Sequence, residues 1–576
     1  MKHFTRRLTR ILPILCAVFA ASCLTQAPPA PLQEPGAWVG SPVVLTRYGE
    51  VKGYPDAGDS WRWAAIPFAR PPVGELRWRA PVDPMPWNGI RDVRQFNGGC
   101  TQFSPVFPRH VVGSEDCLYL NVWRPRDDAT RLPVYVWIHG GGNSMGSATM
   151  VPDYFGTGIA GRSHMVFVSL NYRLGPFGWF THPALREGAS PFDASGNYGT
   201  LDIIKGLQWV QENIAAFGGD PGNVMIAGES AGGFNVLSLL ISPPAKGLFH
   251  RALSESGAAI THGIDEADAR SEKVLEELLI WDHTAKSRQE AARAAASMGL
   301  GEIRRYLRAK SDREILGCFN SLIMGIIDNP AVLRDGAVIA RDGFDALVTG
   351  DYPGKVPLII GSNADELKLF LYFSRRIPWK SDLYQVVSRY GSERWRASGV
   401  DEVARRLSAH ADQPPVYAYQ FSWGAMREDG GSMLPDEWGR KLGSFHSLDI
   451  PFFLGTETLE GVMQLFLFTR QNEAGRRALS RDMMRYVAQF IRTGDPNPPD
   501  EDPSGTLPRW TPWTNAPGAA KLIVLDAGPD EPSIAMSGSE LTDAGVMDSL
   551  RETLPEPLRS QTLKALEESA LPASIR

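Results

Sequence analysis

Four short apolar runs constrain this chain more than any other feature: LPVYVWIHG (132–140), HMVFVSLNY (164–172), NVMIAG (223–228) and VPLIIG (356–361). Each runs continuously apolar and stops at glycine or polar residues, which is how a strand buried on both faces reads. Such strands occur where helices cover both sides of a parallel sheet. Helical text does lie between them: in LDIIKGLQWVQENIAAF, Ile204, Leu207, Val210 and Ile214 recur at helical spacing. The alternation predicts an α/β chain built on a large, mostly parallel, doubly wound sheet flanked by helices. Near the start, VVLTRYGEVKGY alternates and turns at Gly49 and Gly53 as a hairpin would. No internal repeat or long linker divides the body, so residues 40–545 read as one domain and 546–576 as a C-terminal tail, packed helix or loose end. The stretch 263–315, rich in Ala, Glu and Arg, reads as helices inserted above the sheet, either a polar cap or plain scaffold.

The N-terminus carries different information. Lys2, Arg6, Arg7 and Arg10 precede the apolar run ILPILCAVFAA, which ends in small residues. This is the layout of a secretory signal peptide over residues 1–22, and the run is too short to span a bilayer comfortably. Ala20-Ala21-Ser22-Cys23 resembles a bacterial lipobox, which makes Cys23 a lipidation candidate; ordinary cleavage nearby is the alternative. Residues 23–39 then form a Pro-rich tether. The expected location is outside the cytoplasm, periplasmic or extracellular, with membrane attachment through an N-terminal lipid only. A net charge of −6 lacks the basic face a nucleic-acid partner requires. Export permits disulfides. Cys100 and Cys117 are near enough to close a short loop, which would contribute about 3 kcal/mol. Cys318 sits among apolar residues, where a buried, inert thiol is expected.

Two serines satisfy Gly-x-Ser-x-Gly: Ser144 in GNSMG and Ser230 in GESAG. A nucleophile elbow needs a strand, a tight turn and a helix starting at once, with small residues where strand and helix approach. Around Ser230 the strand is NVMIAG, Gly228 and Gly232 supply room, and AGGFNVLSLLI supplies the helix. After Ser144, Gly146, Pro152 and Gly156 disrupt any helix, so Ser230 is the candidate nucleophile. HGGG (139–142) follows a strand and is the type of glycine loop whose N–H groups form part of an oxyanion hole. Gly141, Gly142 and Ala231 are the candidate donors.

The blocks FGGDPGNVMIAGESAGG (217–233) and EDCLYLNVWRP (115–125) resemble the two signature segments of the type-B carboxylesterase and cholinesterase family, an α/β-hydrolase group. The likeness continues through IPFARPPVGELRWRAP (66–81), LNYRLGPFGWF (170–180), GSNADELKLFL (361–371) and LGSFHSLDIPFFLG (442–455), over roughly residues 40–530. It implies an α/β-hydrolase fold with helical insertions over the active site, and a triad of Ser230, Glu366 and His446, for which Asp365 and Asp449 are rival acids. It further implies a supporting role for Glu229, a Cys100–Cys117 disulfide, and internal ion pairs Arg77–Glu115 and Arg173–Asp202. The implied activity is hydrolysis of small-molecule carboxylic esters through an acyl-enzyme, with no metal or organic cofactor. The loop between the two cysteines has no tryptophan to bind a quaternary ammonium, which argues against choline esters. Phe103, Phe107 and Trp423 are candidate pocket walls. A catalytically silent cholinesterase-like binding protein and an interfacial lipase are the competing readings; the sequence says nothing of oligomeric state.

Overall fold

The sheet that the apolar runs predict is present and large. In the computed structural model, which describes residues 30–568 apart from 108, 436, 457, 460–462 and 500–506, eleven strands share one sheet. They are β1 Tyr54–Asp56, β2 Ser60–Pro67, β3 Tyr119–Pro125, β4 Leu132–Ile138, β5 Val166–Leu170, β6 Gly219–Glu229, β7 Arg251–Glu255, β8 Leu358–Asn363, β9 Val416–Phe421, β10 Leu522–Ala527 and β11 Pro532–Ser537. Their spatial order is β11-β10-β9-β8-β7-β6-β4-β5-β3-β2-β1. From β10 to β5 every neighbouring pair is parallel; antiparallel strands close both edges. The predicted leader, Cys23 and the first part of the Pro-rich segment lie outside the described residues.

The continuous apolar character of the central strands now has its cause. Along β4, Val134, Val136 and Ile138 enter the core on one face while Tyr135 and Trp137 enter the core on the other. Successive side chains point to opposite faces, so a strand covered on both sides has no polar position to offer. The N-terminal hairpin also forms, Val43–Thr46 against Gly49–Lys52, but its tight turn is Arg47–Tyr48. Gly49 instead starts the second strand with φ 144°, where an added Cβ would strike the Trp87 indole.

The insertion 263–315 folds as helices Ile264–Trp281, Arg288–Ser297, Leu300–Ala309 and Asp312–Gly317. They bury Leu275, Leu278, Leu307 and Ile315 against Trp78 and Phe180 of the main body. The C-terminal segment is packed: helices Asp543–Thr553 and Leu558–Glu568 lie on helix Asp382–Arg396, and Val546, Leu550 and Leu566 join a core with Leu367, Phe370 and Trp395. A break at 545 would therefore cut through a docked helix. The Pro-rich segment is docked at its end too, where Trp38 packs edge-on to Trp63 and under the Arg124 guanidinium.

Cys100 and Cys117 are bridged, and Cys318 is free and buried, its thiol pushed up to about 12 by burial. Both ion pairs implied by the resemblance form. Arg173 grips Asp202 in a two-pronged pair at 2.7 Å on each side, both residues buried; Arg77 also grips Glu115 with two prongs, through Nε at 2.7 Å and through Nη2. Asp202 also accepts from the Arg173 N–H at 3.0 Å, which fixes the chain after β5. Asp202→Ala should cost about 3–5 kcal/mol in a denaturant titration, because it strands a buried guanidinium. A loss within experimental error would mean the pair is not what holds that segment.

Candidate active site

Ser230 stands where β6 ends and helix Ala231–Leu240 begins. Its φ of 56° and ψ of −124° are strained for a residue with a side chain, and its surroundings enforce the strain. A Cβ on Gly232 would lie 2.0 Å from the Ile138 carbonyl oxygen, and one on Gly228 would lie 2.6 Å from that oxygen and from the Gly232 backbone. Strand and helix thus touch backbone to backbone, and the serine is lifted on the turn between them. The glycine loop after β4 packs against this turn: a Cβ on Gly140 would be 3.1 Å from the Ser230 Cβ.

That loop is held from several sides. Gly141 and Gly142 have φ of 109° and 62°. Asn235 of the elbow helix donates to Asn143 at 2.9 Å, and Gln102, near the disulfide, brackets Gly146 at 2.7 and 2.8 Å. Ser144 is buried and donates to the carbonyls of Gly142 and Ile327 at 2.9 and 3.4 Å, so the second Gly-x-Ser-x-Gly serine pins the loop. His139 stacks on Tyr172, and burial lowers its imidazole to about 4. Among the described residues nothing accepts from the N–H groups of Gly141 and Gly142.

The other two predicted side chains meet. His446 Nδ1 lies 2.5 Å from Glu366 Oε2, both residues buried. Glu366 begins helix Glu366–Ser374 just beyond β8, and its Oε1 accepts from the Asn363 N–H at 2.7 Å and from Ser256 Oγ at 2.6 Å. With every direction occupied, the carboxylate cannot turn away from the imidazole. The rival acids are engaged elsewhere. Asp449 accepts from Tyr419 and Asn363 at 2.8 and 3.2 Å, and Asp365 pairs with Lys368 at 3.0 Å. Phe370 and Trp395 flank the imidazole, with ring centres 5.0 and 4.9 Å away.

Glu229 supplies a second carboxylate to the same ring, its Oε1 3.2 Å from His446 Nε2. Among the described residues Nε2 makes no hydrogen bond to this oxygen or to any other atom, so it is left for another partner. No hydrogen bond joins Ser230 Oγ to His446; in free enzymes that contact is commonly loose and tightens around substrate. Glu229 is oriented by Ser447, whose hydroxyl donates to Oε1 at 2.6 Å. Burial would lower the His446 pKa, but Glu229 and Glu366 outweigh it and raise it to about 9. Burial raises Glu229 to about 7 against the pull of His446, and raises Asp449 to about 6. Glu255, at the end of β7, is buried with neither oxygen hydrogen-bonded among the described residues, and burial holds it well above the ordinary carboxylate range.

A cavity of about 280 Å³ opens beside Gly142 and Phe234. Ile260, Ile327 and Val332 line it, with His262, Glu266 and Arg270 of the inserted-helix region along its rim. The insertion thus borders the site. Phe103, Phe107 and Trp423 do not. Phe103 is buried with Trp78 and Phe319, Phe107 is 67% exposed, and Trp423 is sealed against Phe452 and Phe468. Large aromatic side chains were drawn to the interior by their area, leaving Phe234, Phe370 and Trp395 at the site. Ser256, Asn363, Ser447 and Glu255 escaped the sequence reading. The signal available was position: each lies at or just past a strand end, or beside the histidine.

The sequence pattern of the carboxylesterase family matches residues 40–399 and 382–530. The chain belongs to the carboxylesterase family. It is 31% identical over 488 residues to para-nitrobenzyl esterase of Bacillus subtilis (strain 168), covering 79% of this chain and 90% of that protein. Similarity to carboxylesterase 1D of Rattus norvegicus is 29% over 548 residues, covering 83% and 88%. Among solved structures, the Geobacillus stearothermophilus carboxylesterase superposes with a TM-score of 0.66 at 30% identity, covering 86% of this chain and 98% of that one. The fold is therefore that of an α/β-hydrolase, and the protein is a serine hydrolase of carboxylic esters acting on small molecules.

The carboxylates beside His446 give the carboxylesterase a measurable pH signature. An imidazole beside two carboxylates gives up its proton at higher pH than a free imidazole near 6.5. The acid limb of kcat/KM should lie above that value and move down in pH in Glu229→Gln, which removes one anion. An unmoved limb would show that Glu229 does not act on the imidazole.

Proposed function

We propose that the carboxylesterase works through Ser230, His446 and Glu366. Ser230 Oγ attacks the ester carbonyl carbon, the C=O electron pair moves onto oxygen, and the serine proton passes to His446 Nε2. Glu366 holds the Nδ1–H and steadies the imidazolium. Collapse of the tetrahedral intermediate expels the alcohol, which takes the proton from His446 and leaves an acyl-Ser230. Water, deprotonated by His446, then repeats the attack and releases the acid. The N–H groups of Gly141, Gly142 and Ala231 receive the oxyanion, a contribution of about 3 kcal/mol for each strong donor. The 2.5 Å contact of His446 with Glu366 is the observation that carries this reading. The strained Ser230 turn and the open N–H groups of the adjoining glycine loop support it.

The cavity beside Gly142 sets Phe234, Ile260, Ile327 and Val332 beside Glu266, Arg270, Lys273 and Asp328, a mixed lining that supports a small ester carrying both apolar and polar groups. The N-terminal cations and apolar run support export by a cleaved leader, and the lipobox-like Ala20–Cys23 supports a lipid anchor on Cys23. Mass spectrometry of the mature N-terminus tests both: an unprocessed Met1 refutes export, and an unmodified processed end refutes the anchor.

Hydrolysis of short aryl acetates should fall by roughly 10⁶ in kcat in Ser230→Ala, the scale of removing a serine nucleophile. Ser144→Ala should keep kcat within a few-fold and lose about 1 kcal/mol of stability through its two loop hydrogen bonds. Turnover by Ser230→Ala near the parent rate would overturn the assignment, and labelling of the parent at Ser230 by a reactive phosphonate would support it directly.

A further inference from the structure

Helix Asp382–Arg396 backs the acid and the histidine at once. Gly391 faces the start of the Glu366 helix: a Cβ there would strike the Leu367 side chain and lie 3.3 Å from that of Leu566. One residue on, Ser392 Oγ accepts from the Leu367 N–H at 3.1 Å, which ties down the residue after Glu366. One turn beyond Gly391, buried Trp395 sets its ring centre 4.9 Å from that of His446 and donates from Nε1 to the Ser256 carbonyl at 3.3 Å. The Ser256 hydroxyl in turn holds Glu366. Trp395 thus contacts the imidazole directly and the carboxylate through one intermediate.

After Trp395 the helix widens into a π-helical turn, Ala397–Asp401, a form found frequently at functional sites. The turn is anchored on two sides. A Cβ on Gly399 would strike the Gly257 carbonyl oxygen, next to Ser256. Buried Arg396 and Asp401 pair at 3.2 Å across the turn; Arg396 also donates to the Ser539 carbonyl at 2.7 Å, and Asp401 accepts from the Leu541 N–H at 2.6 Å. From there the C-terminal arm, residues 539–568, follows the same helix. Asp543 pairs with Arg394 at 2.6 Å, Thr553 and Tyr390 share a hydrogen bond of 2.7 Å, and Leu566 meets Gly391. Val546, Leu550 and Leu566 share one core with Leu367, Phe370 and Trp395. A core packed at protein density transmits displacement to its neighbours, so the arm and the imidazole are mechanically linked.

We propose that Trp395 is a positioning residue for His446 and Glu366, and that the C-terminal arm acts on ester hydrolysis by pressing the Trp395 helix against them. The inference rests on the proposed triad. Phe370 stacks beside the indole at 6.0 Å and lies 5.0 Å from the imidazole, so two aromatic rings from two helices bracket the histidine. A bracketed ring presents Nε2 in one direction while Nδ1 stays on Glu366. Proton transfer needs that alignment, and a slight misplacement of a reacting group lowers the rate without weakening substrate binding.

The test measures kcat and KM for an aryl acetate in Trp395→Ala, Trp395→Phe, Leu550→Ser and His446→Ala, each shown by denaturant titration to be folded under assay conditions. Trp395→Ala should lose roughly 10- to 100-fold in kcat with KM within a few-fold of the parent. Trp395→Phe keeps a ring over the imidazole and loses only the N–H, so it should recover most of that loss. Leu550→Ser loosens the arm and should lower kcat several-fold by the same route; it carries the test should Trp395→Ala not fold. The histidine variant separates the two readings. Activity retained in His446→Ala would sink the triad itself. If His446→Ala is inactive while folded Trp395→Ala and Leu550→Ser turn over like the parent, the triad stands and the present proposal is overturned. A raised KM with unchanged kcat in Trp395→Ala would also overturn it, by assigning the indole to substrate binding, and a parent-like Leu550→Ser beside an impaired Trp395→Ala would overturn the part given to the arm.

Discussion

Everything at the candidate active site depends on the backbone contact between Gly232 and the Ile138 carbonyl. Strand β6 runs parallel to β4 with Gly228 opposite Ile138, and the elbow helix turns back onto both. With no Cβ in the way, the helix starts one residue after Ser230, and the glycine loop leaving β4 falls against the same turn. Ser230 and the loop beside it are therefore positioned by one close approach. The strain at Ser230 is sustained because the parallel strands on either side leave the turn no room to relax.

The second organising constraint is charge. Glu229, Glu366, Asp449 and Glu255 are buried near a single histidine. Burial of so many carboxylates is tolerable because they differ in state. Glu366 and Glu229 face the imidazole and are oriented by Ser256, Asn363 and Ser447; Asp449 is held by Tyr419 and Asn363; Glu255 has no hydrogen-bond partner among the described residues, and burial raises it well above the ordinary carboxylate range. The surroundings stabilise an imidazolium, the species that the proposed attack would form, and they do so before substrate arrives. The same field raises the resting affinity of His446 for its proton, so transition-state stabilisation and base strength are balanced against each other.

Local sequence patterns revealed the parts whose chemistry is local. Ser230 was legible because strand, turn and helix are contiguous, and Ser144 could be set aside because Gly146 and Pro152 follow it. Glu366 and His446 were legible only through long family motifs, since nothing in their neighbourhoods indicates that they meet across 80 residues. The aromatic residues misled in a consistent way. Phe103 and Trp423 looked like pocket walls, yet their apolar area took them into separate cores. The residues that flank the imidazole, Phe370 and Trp395, come from two different helices.

By itself the sequence determined the class of fold, the buried strands and the elbow, because each is written in spacing and residue type over a few positions, while the bridge of Cys100 and Cys117 was implied by the family resemblance. The tertiary structure decided which acid faces the histidine, where the C-terminal helices dock, and that Trp395 lies against the imidazole. Those outcomes depend on the register of parallel strands and on the packing of distant helices. Physically, a side chain's periodicity fixes which face it occupies, but only the assembled layers fix what lies opposite that face.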